Sequence, residues 1–216
     1  MRRLLILLLP LLSLTTFGQP GEDHLEPTDG YFNMYGFLHD YYPFIYEHLI
    51  KDLSDNPVAR MLMLSSFSPE NVVSIESADS EEKSYKVIFK ECKENLWYKE
   101  NKNTIEVTAY EQDIDTATVN LVRKVFKKVF FKTSYYDNNL MGPDGVRYIF
   151  TGFVLDSGIR TGEVWSPDEG TKMDELVGLG ESLIRLAKAN NDDDRLKFNK
   201  EIKDKGQRLL KRLRSE

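Results

Sequence analysis

Residues 142–171 read GPDGVRYIFTGFVLDSGIRTGEVWSPDEGT, and the fold class turns on them. Gly142-Pro143-Asp144-Gly145 is a turn by its chemistry, since glycine and proline pre-set the bend and aspartate bonds its own backbone. Val146–Leu155 follows, apolar on both faces, the pattern of an interior strand covered above and below. Asp156-Ser157-Gly158 reverses the chain into Ile159–Trp165, so the two runs form an antiparallel hairpin. Ser166-Pro167-Asp168-Glu169 has the order of a helix start, with a capping hydroxyl, proline at the first position and an acid three after the cap. Thr171 and Asp174 repeat that spacing. Met173, Leu176, Val177, Gly180, Leu183, Ile184 and Ala187 then recur at helical steps, and Gly180 on that stripe permits close approach to a sheet.

Working upstream, Asp115 or Thr116 caps a helix running to about Lys132, apolar at Val119, Val122, Phe126, Val129 and Phe130. Arg123, Lys124, Lys127, Lys128 and Lys132 occupy its other side, which reads first as a solvated face. Before it the period is two. Val73 and Ile75, then Tyr85, Val87 and Phe89, then Ile105, Val107 and Ala109 alternate with polar neighbours, as half-buried antiparallel strands do. Val58–Leu64 reads as a short helix. Between Tyr31 and Tyr46 lie eight aromatics, with Pro43 placed to open a helix carrying Ile45, Leu49 and Ile50. Such a segment packs over a sheet to complete a core, or offers tyrosines as a stacking platform. The expected fold is α+β: a mainly antiparallel sheet of about five strands with helices packed on one face, in the order α-β-β-β-α-β-β-α plus a C-terminal helical tail.

The motif Asp144-Gly145-x-x-Tyr148-x-Phe150 followed by Thr161-Gly162-x-x-Trp165-Ser166-Pro167-x-x-Gly170-Thr171 resembles a pattern in an uncharacterised family of small, often exported bacterial proteins. There the two strands pair before a closing helix with a Leu-Val pair, here Leu176-Val177. The resemblance covers roughly residues 67–187, is specific from Asp144 onward, and implies a shared fold without an assigned activity. Most of the motif is explained by turns and strand faces. The alternative is a recognition surface, with Trp165 as aromatic anchor, Arg160 as charged neighbour, and Tyr148 and Asp144 beside them. A regular strand puts Trp165 and Arg160 on opposite faces.

The chain opens MRRLLILLLPLLSLTTFGQ: two arginines, an apolar run over Leu4–Leu14, then small residues at Thr16 and Gly18. That layout is a secretory signal peptide cleaved between Gly18 and Gln19, too short for the roughly 20 residues of a membrane span. The domain expectation is therefore residues 1–19 signal peptide, 20–66 an aromatic-rich N-terminal segment with short helices after a flexible lead-in, 67–189 the α+β core and 190–216 a charged helical tail. Loss of Arg2 and Arg3 leaves 27 cations against 35 carboxylates, a balance of −8 that repels phosphate backbones and argues against nucleic acid as partner. Cys92 is the only cysteine, so no internal disulfide is expected and stability must come from the core.

No G-x-S-x-G run, glycine-rich phosphate loop or cysteine cluster occurs. His39-Asp40 and Glu47-His48 match neither an HExxH helix nor a Cys/His framework, so neither metal nor cofactor is expected. Residues 195–214 hold nine cations against two anions, a composition fit for contact with an anionic membrane surface, although a solvated tail is the commoner outcome. The expectation is an exported protein, periplasmic or secreted, that works by binding a protein or envelope component. Its competitors are a small hydrolase using carboxylates with His39 or His48, and an envelope-surface protein held by the basic tail.

Overall fold

The computed structural model describes residues 23–28, 40–78, 84–135 and 144–215. Tyr31–His39, Gly142-Pro143, the Asp79-Ser80 turn and the proposed Gly18/Gln19 cleavage point lie outside these residues.

The architecture is α+β, with seven antiparallel strands in the order β1-β7-β6-β2-β3-β4-β5. The strands are β1 (Glu26–Pro27), β2 (Ala59–Ser65), β3 (Asn71–Ser77), β4 (Tyr85–Cys92), β5 (Val107–Asp113), β6 (Val146–Val154) and β7 (Gly158–Trp165). The helices are α1 (Tyr42–Ile45), which continues as a π-helical turn over Tyr46–Ile50, then α2 (Thr116–Phe130), α3 (Lys172–Ala187) and α4 (Asp192–Arg212). The hairpin at 146–165 forms as its sequence predicts, with Arg147 opposite Trp165 and Gly152 opposite Arg160.

Five strands were expected and two more are present. Val58–Leu64 is not a helix: Ala59–Ser65 is the middle strand of the sheet, hydrogen-bonded to β3 and β6. Its alanine, methionines and leucines favour helix and, because both its faces are covered, it lacks the alternation that marks a strand. Tertiary pairing overrides the local preference. The second addition lies in the supposed flexible lead-in, where Glu26 and Pro27 pair with Glu163 and Gly162 of β7. Leu25 beside them is fully buried, close enough that a Cβ on Gly162 would lie 3.0 Å from its side chain. β5 also starts at Val107, and Ile105, the first residue of the alternating run, is buried ahead of it.

Two cores result. On one face Met61, Val73, Ile75, Val87, Phe89 and Phe150 meet α2, α3 and α4. Here Gly180 of α3 lies directly over the Met61 thioether, as its place on the apolar stripe predicts. The other face is covered too, which corrects the expectation of helices on one face only. Tyr41, Tyr42, Ile45, Leu49 and Ile50 pack with Leu96 and Ile105 on Leu62, Leu64, Val72, Cys92 and Ile149. The described part of the aromatic run therefore completes a core.

Local signals hold in α2 and α3. Asp115 caps α2 by accepting from the Thr118 N–H, and Thr171 caps α3 by accepting from the Asp174 N–H. Ser166 does not start a helix. It ends β7 at a φ of 35°, where its N–H donates to the Val146 carbonyl and its Oγ accepts the Val146 N–H, both at 2.9 Å. The C-terminal segment is α4, packed on α2 and α3 with Ile202, Gly206, Leu209 and Leu210 buried. Gly206, which weakens an isolated helix, is where Leu121 of α2 comes within 3.1 Å of a would-be Cβ.

Candidate functional site: an aromatic end of the sheet

One end of the sheet gathers the C-termini of β2, β4 and β7 and the N-termini of β3, β5 and β6. Its organising group is the Glu70 carboxylate, fully buried just before β3. The Tyr41 hydroxyl donates to Oε1 at 2.7 Å and the Leu96 N–H donates to Oε2 at 2.8 Å. The Glu70 carbonyl accepts the Cys92 N–H at 3.0 Å. A buried carboxylate is tolerated only when its lone pairs are filled this way. Here the filling ties the segment before α1 to the loop after β4. Burial, then the Glu70 charge, raises the Tyr41 hydroxyl above its ordinary range. Burial, then Glu70 and Glu91, pushes the Cys92 thiol up to about 12.

That loop carries Trp97 and Tyr98. Asn95 shapes it: its Oδ1 accepts the Trp97 N–H at 2.8 Å, a local turn typical of asparagine. Its Nδ2 donates to the carbonyls of Ser68 at 2.9 Å and Ser65 at 3.4 Å, joining the loop to the β2–β3 connection. Trp97 meets the Tyr41 ring edge-on at 5.2 Å, the arrangement preferred by ring quadrupoles. The β2–β3 connection carries Phe67. Phe67 is 71% exposed, Tyr98 64% and Trp97 43%, so three large aromatics on two joined loops face solvent.

The hairpin closes the same end. The Ser66 N–H donates to the Gly145 carbonyl at 2.9 Å, and the Gly145 N–H donates to Ser66 Oγ at 3.1 Å. Trp165 lies against Gly145, where a Cβ would sit 2.7 Å from the indole and 2.5 Å from Ser166 Oγ. Glycine is needed there for the indole to settle. Beneath, Arg147 donates to both oxygens of Glu163, at 2.6 and 2.5 Å, and to the Tyr42 hydroxyl. Burial raises the Glu163 carboxyl above its usual range, with Arg147 pulling it back.

Of the four residues singled out from sequence, this end contains Trp165, half-buried, and Asp144, exposed just before β6. Tyr148 is half-buried against the helix-covered core, its hydroxyl raised by burial and then by Glu181 and Asp174. Arg160 is exposed opposite Gly152, on the face away from Trp165 as strand alternation requires. The four do not form one site. Sequence reasoning missed Phe67, Tyr98 and Trp97 as surface groups. The available signals were an asparagine two residues before a Trp-Tyr pair and a phenylalanine inside a Ser-Ser-x-Ser-Pro turn.

The remaining candidates for chemistry are dispersed. The Nε2–H of half-buried His48 donates to the Lys102 carbonyl at 2.9 Å, and Glu47 beside it pairs with Lys51. His39 lies outside the described residues. Cys92 is buried, and no group of three His, Cys, Asp or Glu side chains converges among the described residues. No described helix is long and apolar enough to cross a membrane. No family model, curated protein or solved structure matches the chain.

Proposed function

We propose that this is an exported, non-enzymatic binding protein, whose partner is a protein or envelope component engaged by the aromatic end of the sheet. The observation carrying this reading is the exposure of Phe67, Trp97 and Tyr98 on loops held by the Asn95–Ser68 bond and the buried Leu96–Glu70 bond. Single exposed aromatics are ordinary, but several on rigid neighbouring loops supply contact area at little entropic cost, as recognition surfaces do. Trp165 and Asp144 flank them through the Gly145–Ser66 hydrogen bonds. The N-terminal leader read from residues 1–19 supports export.

The test is capture from envelope and culture-medium fractions by the purified chain and by Phe67→Ala, Tyr98→Ala and Trp165→Ala. A saturable partner retained by the parent and lost with Phe67→Ala and Tyr98→Ala, at unchanged unfolding midpoints, is the expected result. Equal capture by all of them overturns the reading, as does hydrolysis of ester, peptide or glycan substrates that a single polar substitution abolishes.

A further inference from the structure

Independently of the aromatic end, the helical layer holds a second feature. The C-terminal ends of α2 and α4, with the residues just after them, border a half-open cleft of about 320 Å³ lined by Lys124, Lys127, Lys128, Phe131, Leu210 and Arg214. Ligand pockets run from about 300 Å³ upward, so the cleft has the volume for a small molecule, part of which would stay in solvent. Four of the six lining residues are cations and none is a carboxylate. That is unusual on a chain whose net charge is −6.

Helix ends explain part of this. Lys127 and Lys128 fall in the last turn of α2, where cations complement the helix dipole. The same argument does not reach Lys124, a turn earlier, and it does not account for Phe131, which is 66% exposed at the mouth of the cleft. Several other cations of the helical layer are paired: Lys203 with Asp115, Arg208 and Arg212 with Glu175, Arg185 with Glu201. Lys124, Lys128 and Arg214 have no ion-pair partner among the described residues. Lys127 lies 5.8 Å from the Phe131 ring centre, a cation–π contact that holds charge and ring on the same side.

We infer that this cleft is a binding site for a monomeric phosphorylated amphiphile. Lysines act as point charges toward a phosphate head, the doubly charged head suits several cations, and Phe131 and Leu210 receive the apolar body. A cleft lined by charges of one sign focuses their field on an entering anion.

The experiment is calorimetric titration of the purified chain with octyl phosphate below its micellar range. Octyl glucoside serves as the uncharged control, inorganic phosphate as the head group alone, and anionic phospholipid vesicles as the bilayer arm. One saturable octyl phosphate site is expected, weakened by salt, with octyl glucoside inert. The double variant Lys124→Glu/Lys128→Glu should lose about tenfold or more in affinity, as expected for charge-assisted hydrogen bonds. Phe131→Ala should weaken octyl phosphate while leaving the weaker inorganic phosphate binding unchanged. These side chains lie on the surface, and matched unfolding midpoints exclude a folding defect. Unchanged octyl phosphate affinity in the double variant overturns the inference, as do equal binding of octyl glucoside or sedimentation with vesicles in the absence of octyl phosphate binding.

Discussion

Arg60 is 2% exposed in the middle strand, an arginine where the neighbouring positions are apolar. Its Nε donates to Ser74 Oγ at 3.0 Å, and one Nη donates to Glu76 Oε1 at 2.8 Å and to the Ser54 carbonyl at 2.7 Å. Such a pair contributes little over an apolar isostere, but breaking it strands a buried charge. Glu76→Ala is therefore expected to cost about 3–5 kcal/mol in urea unfolding, against little or no change for Glu106→Ala, whose pair with Lys93 is on the surface. Glu70→Ala acts differently. It leaves the Tyr41 hydroxyl and Leu96 N–H unpaired, so a loss of about 2–4 kcal/mol and a shift in Trp97 fluorescence are expected. Cys92 sets a pH dependence. A folded-state thiol at about 12 against an ordinary 9.0 means the native state holds a proton that the unfolded state releases between those values. Stability is unaffected by this group below pH 9 and falls as pH rises from 9 toward 12. Cys92→Ala should flatten that alkaline decline in denaturant titrations, and the native thiol should resist alkylation at pH 8.

At the scale of elements, β2 and α4 carry the most weight relative to their sequence signals. β2 joins the hairpin side of the sheet, β6 and β7, to β3, β4 and β5, and it supplies residues to both cores. α4 closes the helical layer. Leu209 is fully buried, and Leu209→Ala is expected to cost about 2–5 kcal/mol in urea unfolding. Exposed Leu196 at the other end of the same helix should tolerate alanine within about 0.5 kcal/mol. Similar losses at both positions would show that α4 does not pack as described. The buried side of α4 faces α2 and α3, and Leu210 near its C-terminus lines the cleft together with Arg214 just beyond the helix.

Across the whole molecule, one seven-stranded sheet lies between a helical layer and the covering built from α1, its π-helical extension and the loop after β4. The hairpin at 146–165, the strands β3 and β4 and the caps of α2 and α3 were legible in the sequence, because turn chemistry, alternation and capping are local rules. So were the class α+β and the antiparallel pairing. β2 was not, since a strand buried on both faces shows no alternation and its residues favour helix. β1 was hidden because two residues in a polar stretch become a strand only when β7 offers an edge. The candidate site was half legible. The sequence by itself determined which residues turn, cap and alternate, and it marked Trp165 by its motif. Only the tertiary structure decided that Phe67, Trp97 and Tyr98 share an end with Trp165. It also decided that lysines of α2 meet Arg214, just past the end of α4, across a cleft. Those groups stand far apart in sequence, and what joins them is a buried carboxylate, an asparagine side chain and the packing of one helix on another, none of which a local pattern encodes.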